Sequence, residues 1–504
     1  MILHLGRRIK QSIFPNRTPI FAAAQTQILS AYEVQKAPYP LAGALANYDD
    51  TKSEESSTSE ESSSHREPNA LDKITTFGGS SFIFLSMLLL VVIWIFYGFF
   101  YGFSNTWQII FQNASSIQVY VTDMLLIRQQ LNTSRKTLTT LAEFNSRSQT
   151  YKFLFAHIPE CDETVTHKTE PRSLYINGKP FSDSIDEREF VPVKSPSRLS
   201  YIWNRTCDIF ALMLGSIWAF AFYWLGIIVW IVLGPSLRFS DTWQLYINTA
   251  TALVLTFTTV FLQNIQQREE EKLSPRMNYA QEIDAIIEYR LRILTAYQKN
   301  NVIHSISSPD RSFTERISDL IADIMGSGLG VLLSMLFFAA WVGLGPYLAF
   351  DMSWWLIIGS FTGLVGFING FVLRSLYFRE DIFLKDQFEQ LAASDRAILA
   401  KLNVPNKTPA KQERSLAQRI TLSISNICGH RYTPIVAIGF VILLLILATI
   451  LLWSVTGQLL CNTSTMIIGG FLLFVLIHAH NNSNKERDAD FCGLLKRKLL
   501  LYGY

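Results

Sequence analysis

Asp123 lies inside a helix-length stretch, residues 106–127, whose other members are apolar, hydroxyl or amide side chains. No other ionisable residue falls so deep inside an apolar segment of this chain. Winding residues 105–127 at about 100° per residue brings Asn105, Gln108, Gln112, Ser116 and Asp123 within roughly 80° of one another. Asn113 and Tyr120 border this stripe, and Ile110, Ile117, Val121 and Leu125 take the opposite side, which suits lipid. Oxygen donors of this kind, one charged and none a thiolate, make a weak cation site that ranks first-row divalent metals poorly. A second stretch repeats the pattern. Asp241, Gln244, Asn248, Thr256 and Thr259 share one side, Thr249 adjoins Asn248, and Phe257, Val260 and Phe261 stand opposite. The metal-ligand candidates are therefore Asp123, Gln112, Asn113, Asp241 and Asn248. Gln108, Ser116, Tyr120, Gln244, Thr249 and Thr259 complete a polar pathway. Two plainer readings stay open: an interhelical hydrogen bond could hold the carboxyl, and the amides could be interhelical glue. In a third stretch the stripe becomes Gly359, Gly363, Gly366 and Gly370, which suits close backbone approach.

These residues matter only if a bilayer surrounds them. There a charge costs at least about 2.5 kcal/mol and needs an ion, a water path or a bonded neighbour to offset it. The composition supports that setting: of 504 residues, 49% are apolar and 17% charged, against roughly 25% charged in ordinary soluble domains. About 20 apolar residues cross the hydrocarbon, and runs at 82–101, 209–233, 328–348 and 434–455 reach that length. Each is followed, after a short connection, by a less apolar stretch: 106–127, 242–262, 353–373 and 462–477. The fold class expected is an all-α polytopic membrane protein of about eight transmembrane helices in four hairpins, with amphipathic cytosolic helices besides. A soluble multidomain enzyme does not fit. No nucleophile–base–orienter set appears, and the Gly326–Gly330 run lacks the Lys-Ser/Thr ending of a phosphate-binding loop, so neither hydrolysis nor ATP-driven pumping is expected. A balance of +3 (44 Lys and Arg, 41 Asp and Glu) gives no argument for nucleic acid.

Basic residues set the topology. Arg238 is the single Lys or Arg within the connections inside hairpins, and the other 43 of 44 lie in the tails and long connections. Positive charge stays on the cytoplasmic side, so both termini and the long connections should be cytosolic. The divisions expected are a disordered acidic, Ser-rich tail over 1–78 and repeats at 79–130, 208–268, 326–374 and 434–480. Cytosolic connections fill 131–207, 269–325 and 375–433, and a cytosolic tail 481–504. The tail contains seven serines and seven acids between residues 49 and 67, and no secretory signal is apparent. Five cysteines, at 161, 207, 428, 461 and 492, form no C-x-x-C pair and imply no disulfide framework.

The repeats are visible as offsets. Moving back 136 residues places Trp230 on Trp94, Gly234 on Gly98 and Trp243-Gln244 on Trp107-Gln108. Moving back 111 places Trp341 on Trp230 and Trp354 on Trp243. A fourth copy is read from Trp453 and Gly457 at the end of its first helix, and from Asn462–Thr465, which echo Asn248–Thr251. After the second copy, Ile283, Ile286, Ile287, Leu291 and Leu294 share a helical face, and a similar helix is expected over 379–402. Such helices either lie on the membrane or pack on one another; a regulatory partner site is the lesser alternative. His478 and His480 would chelate one ion only if the helix had ended there, since residues two apart point about 200° from each other. His157, Glu160, Cys161 and His167 match no zinc-finger spacing.

The stretch F-S-D-T-W-Q-L-Y-I-N-T-A-T at 239–251, followed by F-L-Q-N-I-Q-Q-R at 261–268, resembles the signature of the low-affinity iron permease family. S-S-I-Q-V-Y-V-T-D-M-L-L-I-R-Q-Q at 115–130 is similar to the fungal members, and the likeness spans roughly 80–480. The family pattern often has an acid where this chain has Asn113, a departure that leaves Asp123 alone. The resemblance implies a low-affinity plasma-membrane permease that imports Fe(II), with copper and zinc tolerated, down its electrochemical gradient. Fe²⁺ is then the substrate and no cofactor is expected. The partners expected are divalent metal ions (Fe²⁺, Cu, Zn), the lipid bilayer and a second copy in a homodimer, with no nucleic acid. The alternative from another class is a membrane scaffold or sensor whose cytosolic helices recruit partners.

Overall fold

The computed structural model describes residues 19–36, 70–157, 198–402 and 426–503, with a few isolated positions besides. The acidic tail at 49–67, and Glu160, Cys161 and His167, lie outside the described residues. The helices are α1 (Ala31–Lys36), α2 (Ala70–Gly78), α3 (Ser81–Tyr101), α4 (Asn105–His157), α5 (Arg198–Leu214), α6 (Ile217–Leu233), α7 (Asp241–Thr295), α8 (Phe313–Met325), α9 (Gly328–Leu344), α10 (Met352–Lys401), α11 (Thr433–Ile450) and α12 (Val455–Gly503). The strand Ile20–Ala22 pairs antiparallel with His304–Ile306.

Among the described residues, five helices are long and apolar enough to cross a bilayer: α3, α7, α10, α11 and α12. Counting each bent pair, α5–α6 and α8–α9, as one span makes seven. The run 209–233, expected as one helix, is instead bent by 58° at Gly215-Ser216, and α8 meets α9 at 67°. The break has a local cause. Ser80, Ser216 and Ser327 each accept a backbone N–H from the first turn of the helix that follows, which starts a new helix there. The preceding glycines are crowded: a Cβ on Gly215 would stand 2.6 Å from Asn481 Nδ2, and one on Gly79 would stand 2.8 Å from Gln267 Cβ.

The second helix after each turn is much longer than the sequence reading allowed. α4, α7, α10 and α12 run for 53, 55, 50 and 49 residues without interruption. The expected connections at 131–207, 269–325 and 375–433 begin as continuations of these helices. Charge ends an apolar segment without ending a helix, and Pro275 is the one proline within any of the four. The four pack in a ring, α4–α7–α12–α10, with α3, α6, α9 and α11 outside. On α3, Leu89, Ile93, Phe96 and Phe100 are exposed, as a lipid-facing helix requires. Val260 and Phe261, opposite the α7 stripe, are buried, and Phe261 packs with Phe257 against Phe84 of α3.

The turns share one construction. Trp94 stacks on Trp107 at 3.7 Å, Trp230 on Trp243 at 4.0 Å and Trp341 on Trp354 at 4.1 Å. In the last two pairs each indole donates to the other's carbonyl. The turns pass through the left-handed region at Arg238-Phe239, Ala349-Phe350 and Leu452-Trp453. Trp453 therefore takes the place of Phe239 and Phe350, and not that of Trp230 and Trp341, where the sequence reading had set it. Gly457 then falls opposite Trp243 and Trp354.

Away from the turns the four long helices close on a common core. Leu141, Met277, Phe388 and Phe491 occupy one register position, and Phe144, Ala280, Leu391 and Leu494 the next, all buried. The amphipathic face read after the second repeat is used in this way: Ile283, Ile287 and Leu291 are buried there, while Ile286 and Leu294 stay exposed.

Candidate functional site

Register counted from Trp107, Trp243, Trp354 and Gly457 arranges the axis-facing residues in layers. Nearest the turns are Gln108, Gln244, Trp355 and Gln458. A turn further come Gln112, Asn248, Gly359 and Asn462, then Ser115, Thr251, Thr362 and Thr465. All these Gln, Asn, Thr and Ser residues are buried. Below them Val119, Leu255, Gly366 and Gly469, one from each long helix, line a single cavity of about 50 Å³. That volume holds a few waters. Ser116 and Asp123 of α4 and Arg374 of α10 open into the same cavity.

Asp123 is 4% exposed and Arg374 only 1%. Arg374 Nε donates to Leu472 O at 2.6 Å, and its Nη1 donates to Gly370 O. The guanidinium is thereby anchored on backbone carbonyls while it shares the cavity with the carboxylate. Glycines make this room. A Cβ on Gly366 would meet nothing within 4 Å, and Gly363, Gly366 and Gly370 all line the cavity. Within the glycine stripe, expected to let backbones close up, Gly366 instead faces open space. Gly359 and Gly363 fit the close-approach idea: a Cβ on Gly359 would stand 2.5 Å from Asn113 Oδ1 and 3.0 Å from Asn462 Nδ2, and one on Gly363 3.3 Å from Asn462 Oδ1 and Thr465 Oγ1.

The other sequence-predicted residues divide between bonded and unbonded groups. Gln112 Nε2 donates to Leu245 O (3.2 Å) and Thr249 Oγ1 (2.9 Å), and Thr249 Oγ1 donates to Gln108 Oε1 (3.2 Å), tying α4 to α7. Thr259 donates to Leu255 O and accepts from Gln118. Tyr120 turns outward, its hydroxyl 2.8 Å from Ser334 Oγ of α9. Asp241 is exposed at the start of α7, where it accepts from Thr456 Oγ1 at 3.1 Å. It stands about 27 Å along the helix from Thr259, the level of Asp123, so one ion cannot bridge the two aspartates. By contrast Asn248 is 0% exposed with neither amide atom partnered, and Asn113 Nδ2 and Gln244 Oε1 are also without partners. Buried polar atoms are seldom left so, and an axial ion or its water can bond them.

His478 and His480 form no chelate. His478 Nδ1 lies 2.6 Å from Gly215 O, while the His480 ring sits against Tyr377. Among the described residues no cluster of three or more His, Cys, Asp or Glu is arranged to hold a metal ion. Sequence reasoning missed Arg374, because the sixth apolar segment was ended at residue 373. Continuing the spacing 359, 363, 366, 370 by one more helical step reaches it. Thr362, Thr465 and Asn462 were also missed as axial residues, although they occupy the positions of Thr251 and Asn248 in the repeat.

The low affinity iron permease family model matches residues 69–168, 203–290, 314–412 and 417–496, one match per turn-and-long-helix unit. A low-affinity iron/zinc ion transport protein of Schizosaccharomyces pombe is 36% identical over 433 residues, 85% of this chain and 72% of that one. A low-affinity Fe(2+) transport protein of Saccharomyces cerevisiae is 32% identical over 461 residues, 86% and 82% of the two chains. No solved structure matches the chain. With four matches covering most of its length, the chain belongs to the low affinity iron permease family.

Proposed function

We propose that this protein is a low-affinity plasma-membrane permease that carries Fe(II), and with it zinc and copper, down the electrochemical gradient along the axis of its four long helices. The observation that carries the reading is the cavity shared by all four helices, with the Asp123 carboxylate at its wall. The family assignment and both relatives support an iron substrate, and one relative supports zinc.

In this reading the chain crosses the bilayer eight times as four hairpins, and α4 is the crossing whose polar stripe lowers its hydropathy. The turns face outward, and the termini and the far halves of α4, α7, α10 and α12 are cytosolic. An ion entering from the turns meets the amides of Asn248, Asn113 and Gln244, then the hydroxyl layer, then Asp123. Arg374 offsets the carboxylate from the same cavity, so an arriving dication gains less than a bare carboxylate would give. Weak binding follows, and weak binding lets an ion leave as readily as it enters. A dication moving inward across about 100 mV gains roughly 4.6 kcal/mol, enough to drive uptake without ATP. The scaffold or sensor alternative gains no support from the cytosolic halves, whose apolar faces are buried on one another.

Radiolabelled Fe(II) flux into proteoliposomes at a set potential tests the proposal. Uptake should rise with an inside-negative potential and saturate only at high metal concentration. Absence of potential-dependent flux for Fe(II), Zn(II) and Cu alike would overturn it.

A further inference from the structure

Just past the Asp123 level, the axis-facing residues become Leu126, Leu262, Leu373 and Leu476, one from each long helix and none more than 1% exposed. One turn beyond, the same face becomes polar again with Gln130, Gln266, Tyr377 and His480, all buried. Neither amide atom of Gln266 has a partner, and neither does His480 Nδ1. The Tyr377 ring lies against the His480 imidazole with centroids 4.8 Å apart. These unbonded groups sit on α7 and α12, which are neighbours in the ring. Leaving such a group unbonded carries its full desolvation penalty, which a merely structural layer would avoid as the leucines do in the equivalent space one turn above.

We infer that this layer is a second, inner site for a divalent transition-metal ion, built on His480 Nδ1 and the Gln266 amide and separated from the Asp123 cavity by the four leucines. The inference rests on reading the Asp123 cavity as the ion's path. The two levels are seven residues apart, about 10 Å along the axis, so an ion passing the leucines arrives directly at the imidazole. A neutral imidazole nitrogen with an amide oxygen suits Fe(II) and Zn(II) better than Mg(II), Ca(II) or Mn(II). The outer site, made of carboxylate, amide and hydroxyl oxygens, makes no such distinction. The inner layer therefore adds a preference that the outer one lacks. One turn further along, the buried polar residues Ser134 and Asp381 follow, and beyond them the apolar positions Leu141, Met277, Phe388 and Phe491 close the axis.

The test compares uptake of labelled Fe(II), Zn(II) and Mn(II) in cells carrying the wild type, His480→Ala, His480→Gln, Gln266→Leu or Asp123→Asn, normalised to surface protein. His480→Ala should lower the maximal rate for Fe(II) and Zn(II) roughly fivefold or more, equivalent to about 1 kcal/mol on the barrier. It should spare Mn(II) and leave the half-saturating concentration, set at the outer site, unchanged. His480→Gln should recover part of the rate, and Gln266→Leu should shift the Zn/Mn ratio in the same direction as His480→Ala. Wild-type rates and an unchanged Zn/Mn ratio in both His480→Gln and Gln266→Leu would overturn the inner site, even if His480→Ala failed to reach the surface. Loss of uptake in Asp123→Asn with silence at His480 sinks the inner site alone. Silence in Asp123→Asn as well sinks the path on which it rests.

Discussion

The half of the bundle near the turns and the half away from them place polar residues on the same axis, at the same depth of burial, and treat them in opposite ways. Near the turns, Asn248 is wholly buried with both amide atoms unbonded, and Asp123 faces a cavity. Away from them, Lys498 Nζ lies 2.9 Å from Asp284 and 3.1 Å from Asp395, all three fully buried. Arg292 donates to Glu288, to the carbonyls of Tyr297 and Lys299, and to Asn301. Arg147 reaches the other oxygen of Glu288 at 2.9 Å. Polar groups bonded across helices specify which helices pair and in what register. Groups left unbonded at the same register have capacity for a ligand that comes and goes. In the proposed function, the contrast would separate polar groups that hold the bundle together from those that meet an ion, without reference to residue type.

The largest effect should come from Asp123→Asn, which keeps size and hydrogen-bonding ability but removes the charge. Fe(II) uptake per surface molecule should fall roughly tenfold or more, since the cavity loses its carboxylate while the Arg374 charge remains. Thermal stability should hold or rise, because Arg374 keeps its two carbonyl partners. Uptake at the wild-type rate, with normal surface expression, would remove Asp123 from the mechanism.

The mirror-image experiment in the other half is Lys498→Met. It strands Asp284 and Asp395 together in the core, and breaking a buried pair in this way costs about 3–5 kcal/mol. Flux per correctly folded molecule should stay the same. Burial already raises the Asp284 carboxyl, against the pull of Lys498 and Arg147, and loss of Lys498 raises it further. The folded variant then binds a proton that the unfolded chain releases, so its stability recovers as pH falls through the raised range of this carboxyl and is poorest above that range. Denaturation of the purified variant at several pH values checks this; a loss of stability that grows toward acid would contradict it.

How much of this could be read in the sequence depended on which physical signal carried it. The stripe from Gln108 to Asp123 is a matter of helical angle, and angle survives in a single sequence. The tryptophan pairs announce themselves by their offsets of 136 and 111. Helix length was hidden because the basic residues after Ile127 and Leu373 mark the edge of an apolar segment, and a helix can continue through charge. The same truncation hid Arg374. The cavity was hidden for a different reason. Gly366 reads as close packing until its surroundings are known, and whether a missing side chain closes a gap or opens one is decided by three other helices. Bonding state was also out of reach: Gln112 and Asn248 are both amides on the stripe, yet one is tied to Leu245 and Thr249 while the other has no partner.

A smaller effect is expected from a matched pair of amide replacements. Asn248→Leu removes two unbonded buried atoms, so stability should be unchanged or slightly higher, while uptake falls about threefold as one axial donor is lost. Asn301→Leu in the other half strands Arg292, Glu288 and the Ala24 carbonyl, all of which Asn301 now bonds. It should cost about 1–3 kcal/mol of stability and leave uptake per folded molecule alone. Melting temperature and normalised uptake of both variants, measured together, decide the matter. If the two behave alike, bonding state does not distinguish the halves.

The smallest effect is expected at Tyr120, which sits on the sequence-predicted stripe but whose hydroxyl is 2.8 Å from Ser334 on α9 and points away from the cavity. Its ring is packed against Phe338 and Phe361, contacts that Tyr120→Phe retains. The substitution leaves Ser334 its bond to Gly330 O, so no buried donor is orphaned and the loss should be about 1 kcal/mol or less. Normalised Fe(II) uptake should change by less than about twofold, because Tyr120 is not among the residues that line the cavity. A larger fall would mean that position on the stripe outweighs bonding, and that α9 belongs to the path an ion takes.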